Sequence, residues 1–159
     1  MHGSSRGNEA LICFGIFAFQ FEPPHVGCYR IVDAPMKILE LNHVALHVAD
    51  VQKSCEFYRD VLRLEPMPRP AFTFPGAWFR LGANQELHLI GERGEPVSSG
   101  NRGNHFALQV DELDSWESHL QKLGADFRPR KRRPDGAWQV FLRDPDGHVI
   151  ELFTPPSRD

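Results

Sequence analysis

The sequence predicts an α+β fold in which two tandem βαβββ modules form a curved mixed sheet. Three observations carry this expectation. The heptapeptide N-H-V-A-L-H-V at 42–48 returns as N-H-F-A-L-Q-V at 104–110, identical at five of seven positions. Each copy leads through acidic residues into a segment whose apolar positions recur every 3.6 residues, the period of an amphipathic helix. Each of those segments gives way to short apolar or alternating runs broken by turn residues, the pattern of strands. A unit that recurs at a fixed offset is one supersecondary module used twice.

In the first copy the repeat motif is the opening strand. A helix follows over 51–62, with Asp50 placed to cap it and Val51, Cys55, Tyr58 and Leu62 on one stripe. Strands are expected at 64–69, 77–81 and 85–90. A linker rich in Gly and Ser, about 91–103, leads to the second copy. There the helix is expected at 113–123, with Leu113, Trp116, Leu120 and Leu123 buried and Gly124 as its stop. Strands follow at 126–130, 137–143 and 148–154, separated by the turn signals Pro134-Asp135-Gly136 and Asp144-Pro145-Asp146-Gly147. The dipeptide Ala77-Trp78 matches Ala137-Trp138, which makes the last turn of the second copy the longer one. Cys55 and Trp116 read as core.

The 159 residues suffice for one domain with its own core. Residues 1–36 read as an N-terminal extension outside the core fold or as an extra strand on it. Residues 37–159 read as the domain, with module 1 at about 37–91 and module 2 at about 103–154. The apolar run at 11–19 is far shorter than the ~20 residues of a membrane span. With one arginine and one glutamate before it and no A-x-A site after it, it makes a poor signal peptide. Three scattered cysteines without a C-x-x-C pair suggest neither a disulfide framework nor a thiolate metal site, and suit a reducing cytoplasm. A net charge of -3 gives no bias toward nucleic acid or membrane.

Strand parity locates the candidate chemistry. Side chains alternate across a sheet, so Val44, Leu46 and Val48 share the helix face while His43, Ala45 and His47 share the other. In the second copy Phe106, Leu108 and Val110 go inward, and His105, Ala107 and Gln109 go outward. The closing strands behave alike. Leu87 and Leu89 take the core and leave Glu86, His88 and Ile90; Ile150 and Leu152 take the core and leave Val149, Glu151 and Phe153. Superposing L-H-L on I-E-L makes His88 the counterpart of Glu151. Four metal-competent side chains thus form two repeat-equivalent pairs, His43 with His105 and His88 with Glu151. Imidazole and carboxylate together suit Zn, Ni, Fe, Mn or Co. The subset His43, His105 and Glu151 is a two-histidine, one-carboxylate set that leaves positions open for substrate, with His88 as a fourth candidate ligand. His47 and Gln109 face the same cavity as candidate substrate contacts, and Trp78 with Phe72 and Phe74 as a candidate apolar wall. His148 has the wrong parity for a ligand, and His119 is expected on the outer face of the second helix. The competing reading is that both Asn-His pairs only satisfy local hydrogen bonds.

The stretches L-N-H-V-A-L-H-V-A-D-V-Q-K-S-C-E-F-Y-R-D-V-L, Q-E-L-H-L-I, G-N-H-F-A-L-Q-V and D-P-D-G-H-V-I-E-L-F come in one order over residues 38–154. In this the chain resembles the vicinal oxygen chelate superfamily, the glyoxalase, bleomycin resistance and dioxygenase proteins. The resemblance implies paired modules around a central metal cavity, with His43, His88, His105 and Glu151 at the ligand positions. It implies a metal-dependent lyase or isomerase of the lactoylglutathione lyase type, in which the ion polarises a carbonyl and stabilises an enediolate. A glutathione or other thiol conjugate is then a candidate substrate, and a homodimer the expected assembly. An extradiol dioxygenase using Fe(II), a fosfomycin-type thiol transferase and a bleomycin-resistance-like binding protein are the alternatives. Glyoxalase I usually carries an acidic residue where this chain has His88, so the proton-transfer role falls to Glu151 or to Glu86. The basic run at 128–133 reads as a solvated face or as a seat for an anionic substrate tail. Without interleaved aromatics it does not read as a nucleic-acid site.

Overall fold

The computed structural model describes residues 36–157. The expectations placed on residues 1–35 lie outside these. Leu39–Asp159 forms one compact unit. Its first module runs β1 (His43–His47), α1 (Val51–Glu56) continuing as a π-helical segment (Phe57–Val61), β2 (Pro66–Met67), β3 (Gly76–Leu81) and β4 (Gln85–Ile90). The second runs β5 (His105–Gln109), α2 (Leu113–Lys122), β6 (Phe127–Arg132), β7 (Trp138–Arg143) and β8 (Val149–Thr154). Each module makes a four-stranded mixed sheet, ordered β1-β4-β3-β2 and β5-β8-β7-β6. The opening strand runs parallel to the closing strand of its own module, and the other pairs are antiparallel. Among the described residues β1 and β5 are therefore edge strands, and they do not pair with each other.

Helix ends follow local chemistry. Asp50 accepts from the Lys53 amide at 3.1 Å, and Glu112 accepts from the Ser115 amide in the second copy, so both helices start on a carboxylate cap. At the far ends Arg63 and Gly124 both take positive φ, 55° and 63°. The Ala125 amide reaches Leu120 O, but the equivalent Leu64 amide reaches back one residue further, to Tyr58 O. The first helix thus holds one extra residue, and the Leu62 amide bond to Phe57 O is the π turn that absorbs it.

One core spans both modules. Leu46, Val48, Tyr58, Phe79, Leu87 and Leu89 join Leu120, Val140, Ile150 and Leu152 in a single buried cluster. At about 1.5–3 kcal/mol for each fully buried large apolar side chain, this cluster dominates the stability of the unit. Leu46, Val48, Leu87, Leu89, Ile150 and Leu152 lie on the face that parity assigned to the helices, and Phe79 and Val140 join them from the neighbouring strands.

A turn joins the modules through polar contacts. Asp146 accepts from the Ala49 amide at 2.9 Å, Ser54 Oγ at 3.2 Å and Arg93 Nη2 at 2.6 Å. Asp144 accepts from the Tyr58 hydroxyl at 2.9 Å and from the amides of Asp146 and His148. Burial, with the charge of Asp144 next, pushes the Tyr58 phenol far above its usual range, so it stays a donor. His119 also crosses the junction: its Nε2 donates to Val61 O at 3.0 Å. It is half-buried between the modules and not on the outer helix face that its sequence position suggests.

The register corrects the dipeptide match. Trp78 pairs with His88, whereas Trp138 pairs with Thr154; Phe141 is the residue that pairs with Glu151. The two closing turns are consequently of equal length. Trp138 sits at the strand end, half-exposed, with the Arg130 guanidinium 5.9 Å from its ring centroid. Among the described residues no helix is long and apolar enough to cross a membrane.

Candidate metal centre

The open face of each sheet carries one row of the residues picked out by parity. In module 1 the row is Ala45, His88 and Trp78, with His43 and Glu86 paired in the row beside it. In module 2 it is Ala107, Glu151 and Phe141.

The module 1 half is a stack of rings. His88 lies between Trp78 (centroids 4.0 Å apart, planes at 6°) and His43 (4.4 Å, 15°). Its Nε2 meets Glu86 Oε2 at 2.7 Å, and its side chain is 13% exposed. His43 turns Nδ1 to Asn42 Oδ1 at 2.8 Å, which leaves Nε2 as its available lone pair. Trp78, expected as a substrate contact, stacks on His88. Glu86, expected as a base, is held by His88.

The module 2 half is a histidine and a buried carboxylate. His105 Nδ1 donates to Gly103 O at 3.1 Å, and its Nε2 faces Glu151 Oε2 at 3.1 Å. With the proton on Nδ1, two acceptors confront each other across that distance, an arrangement that suits a shared cation. The Glu151 side chain is 6% exposed, and its Oε1 has no hydrogen-bond partner among the described residues. The Arg133 guanidinium, bound to Asp135 at 2.7 Å, reaches to 3.8 Å from that Oε1, within ion-pair range but too far for a hydrogen bond. A buried carboxylate oxygen left without a donor is costly unless something positive reaches it. This half therefore fits a divalent ion chemically, with His105 oriented by a backbone carbonyl and Glu151 supplying charge.

The two halves do not merge. Among the described residues no three His, Cys, Asp or Glu side chains stand close enough together to hold a metal ion. His43 and His105 do share the lining of one cavity of about 680 Å³, together with Glu86 and Gln109. His47 lies elsewhere: its Nε2 donates to Gly91 O at 2.8 Å, and it lines a second space of about 490 Å³ with Arg93, His105 and His148. His148 donates from Nε2 to His47 O. The basic run is partly neutralised, because Arg130 pairs with Asp114 and Glu117 on α2. Sequence reasoning missed three features of the site: the Trp78–His88–His43 stack, the clasp of Glu86 by His88, and the reach of Arg133 toward Glu151. Parity gives the face of a side chain and not its rotamer.

Two βαβββ modules with a repeat-equivalent half-site on each open face define a class, and comparison with known proteins agrees. The Glyoxalase/Bleomycin resistance protein/Dioxygenase superfamily matches residues 40–152, and the chain belongs to it. Glyoxylase I 4 of Arabidopsis thaliana is 31% identical over 127 residues, covering 74% of this chain and 72% of that one. Metallothiol transferase FosB of Shouchella clausii is 28% identical over 120 residues, covering 72% and 79%. Among solved structures, a mutant of the fosfomycin resistance protein FosX from Listeria monocytogenes, in complex with Mn(II) and 1S,2S-dihydroxypropylphosphonic acid, superposes with a TM-score of 0.63. It is 21% identical, covers 75% of this chain and 94% of that one, and supports the fold alone.

Proposed function

We propose that this protein is a divalent-metal-dependent lyase or isomerase of glyoxalase type, with its metal centre built from two half-sites on different copies of the chain. The observation that carries the reading is the Glu151 carboxylate, buried beside an oriented His105 with one oxygen that accepts no hydrogen bond among the described residues and has only the Arg133 guanidinium at 3.8 Å. His105 and Glu151 would hold the ion from module 2, and His43 would complete the set from module 1 of a second chain. His88 is the remaining candidate, reaching the ion only if it releases Glu86. The relation to Glyoxylase I 4 and to the metallothiol transferase FosB supports a metal-dependent chemistry here. Zn, Ni, Fe, Mn and Co all match the donor set.

Bound there, the ion would supply Lewis acidity to a substrate carbonyl and its neighbouring oxygen. The protein's own contribution is positional. Glu86, fixed by His88, stands on the open face next to His43 as the group to take a proton from the carbon beside the carbonyl. Trp78 and His43 clamp the His88 ring from both sides, so Glu86 is offered in one orientation. A second copy is supported by the unpaired edges of β1 and β5, and by Leu39 and Leu41, which lie 89% and 67% exposed just before β1. A small-molecule substrate and a homodimer follow from this reading.

The test is metal analysis of the purified protein, followed by hemithioacetal isomerisation with Ni, Zn, Mn or Fe added. Bound metal and metal-dependent turnover are expected. A protein that takes up none of these ions would contradict the proposal. Oxygen consumption with catechols, or thiol addition to fosfomycin, in place of isomerisation would replace the reaction while keeping the centre.

A further inference from the structure

The two modules meet at two repeat-equivalent junctions, and the junctions differ in chemistry. On the strands, His88 and Trp78 correspond to Glu151 and Phe141, so the turn at 82–84 corresponds to the turn at 145–147. Leu81 and Ala83 therefore stand where the second copy has Asp144 and Asp146. On the helices the heptapeptide offset makes Trp116 the counterpart of Ser54 and Leu120 the counterpart of Tyr58. At the first junction Asp144 and Asp146 fill the gap with hydrogen bonds to Tyr58, Ser54, Arg93 and the Ala49 amide. At the second the carboxylates are gone and an apolar space of about 680 Å³ remains. Leu62, Leu64, Leu81, Val110 and Trp116 wall it. The Trp116 indole is held by its Nε1 bond to Asp111 at 3.3 Å.

This space does not end at the helix side. β1 and β5 do not pair, so it continues between them to His43, Glu86, His105 and Gln109. One cavity thus has a polar end at His43, Glu86, His105 and Gln109, and, Gln85 apart, apolar walls over the rest. Its volume lies within the roughly 300–1,000 Å³ that enclose a small organic ligand. We infer that the cavity seats the non-reacting tail of the substrate, and that the substrate is a carbonyl or carboxylate compound with an alkyl chain or aryl group. The orientation, oxygen head toward His105 of the module 2 half-site, rests on the proposed metal centre; the apolar site does not. The thiol part of a hemithioacetal, if glutathionyl, would lie outside this cavity, because its charged ends would otherwise be buried against Leu62, Leu64 and Leu81 without partners.

Decanoate serves as the probe, titrated into the full-length protein by calorimetry and by tryptophan emission, with glutathione as the contrast. Decanoate is expected to bind and change the emission, and glutathione to do neither. Leu64→Trp, which fills the cavity, is expected to weaken decanoate binding at least about tenfold. Trp116→Phe is expected to keep most of the binding heat and abolish the emission change. The inference is overturned by absent decanoate binding, by an unchanged affinity in Leu64→Trp, or by an emission change that survives Trp116→Phe. Should Leu64→Trp fail to fold, the Trp116→Phe comparison decides alone. Metal content measured on the same samples separates the two readings. Lost decanoate affinity in Leu64→Trp with wild-type metal content supports the cavity, whereas a metal-free wild type removes the metal centre and leaves the decanoate result to be judged by itself.

Discussion

Glu151 is the residue on which the site turns. Its carboxylate is buried at the strand centre, one oxygen facing His105 and the other without a donor. Glu151→Leu is expected to abolish metal uptake and to leave the metal-free protein as stable as the wild type or about 1 kcal/mol more stable. Metal analysis with thermal melts in chelator checks both halves. A variant that keeps its metal, or that loses several kcal/mol without metal, would mean that Glu151 is structural. At this scale much was legible. The alternation in L-H-L and I-E-L put His88 and Glu151 on one face and made them counterparts, and the register agrees, since each sits opposite the alanine of its motif. What alternation left open was contact. Nothing in the spacing says that His88 stacks between two rings or that it engages Glu86, since those depend on rotamers set by neighbours on three strands.

Among the elements, the 144–148 turn does the joining. Asp146 is 6% exposed on its side chain and bonded to two groups of module 1, the Ala49 amide and Ser54 Oγ, and to Arg93 of the linker. Burial on its own would raise its pKa, but the bonds from Arg93, the Ala49 amide and Ser54 outweigh it and hold the carboxyl below the usual range. The bond set is therefore fully in place above the unfolded-state value of about 3.9, and its contribution fades as the pH falls through the lower folded-state value. Asp146→Ala is expected to cost about 3 kcal/mol at pH 7, since it strands the Arg93 guanidinium and the Ala49 amide. The gap between wild type and variant should close in acid, which urea melts from pH 7 down to about pH 2 will reveal. A constant gap across that range would contradict the assignment. The turn itself was legible from D-P-D-G, and the helix starts from Asp50 and the 3.6-residue stripe. The π turn was not, because the extra residue falls where the two copies share little sequence. The false match of Ala77-Trp78 to Ala137-Trp138 had the same origin: a dipeptide fixes no register, whereas hydrogen-bonded pairs do.

For the whole molecule, duplication explains both the symmetry and its breaking. The repeat made the βαβββ architecture readable before any coordinates, since one motif returned with its helix stripe and its strands in the same order. How the modules meet was not readable, because it depends on which equivalent positions have diverged: Ser54 against Trp116, Asp146 against Ala83. That divergence closes one junction with hydrogen bonds and leaves the other as a cavity. It also leaves the His43–His88 and His105–Glu151 halves separate within the chain, each with its first histidine on the edge strand and its second residue on the interior strand beside it.

The central claim is that those halves complete each other between chains. It is tested most directly by metal stoichiometry in a mixed dimer of His43→Ala and Glu151→Ala, purified through two different tags. Each variant alone should lose both sites. In the mixed dimer the intact halves meet once, so about half of the wild-type metal content should return. If the centre forms within one chain, every chain in the mixed dimer lacks a ligand. Metal no higher than in the two parent variants would contradict the account.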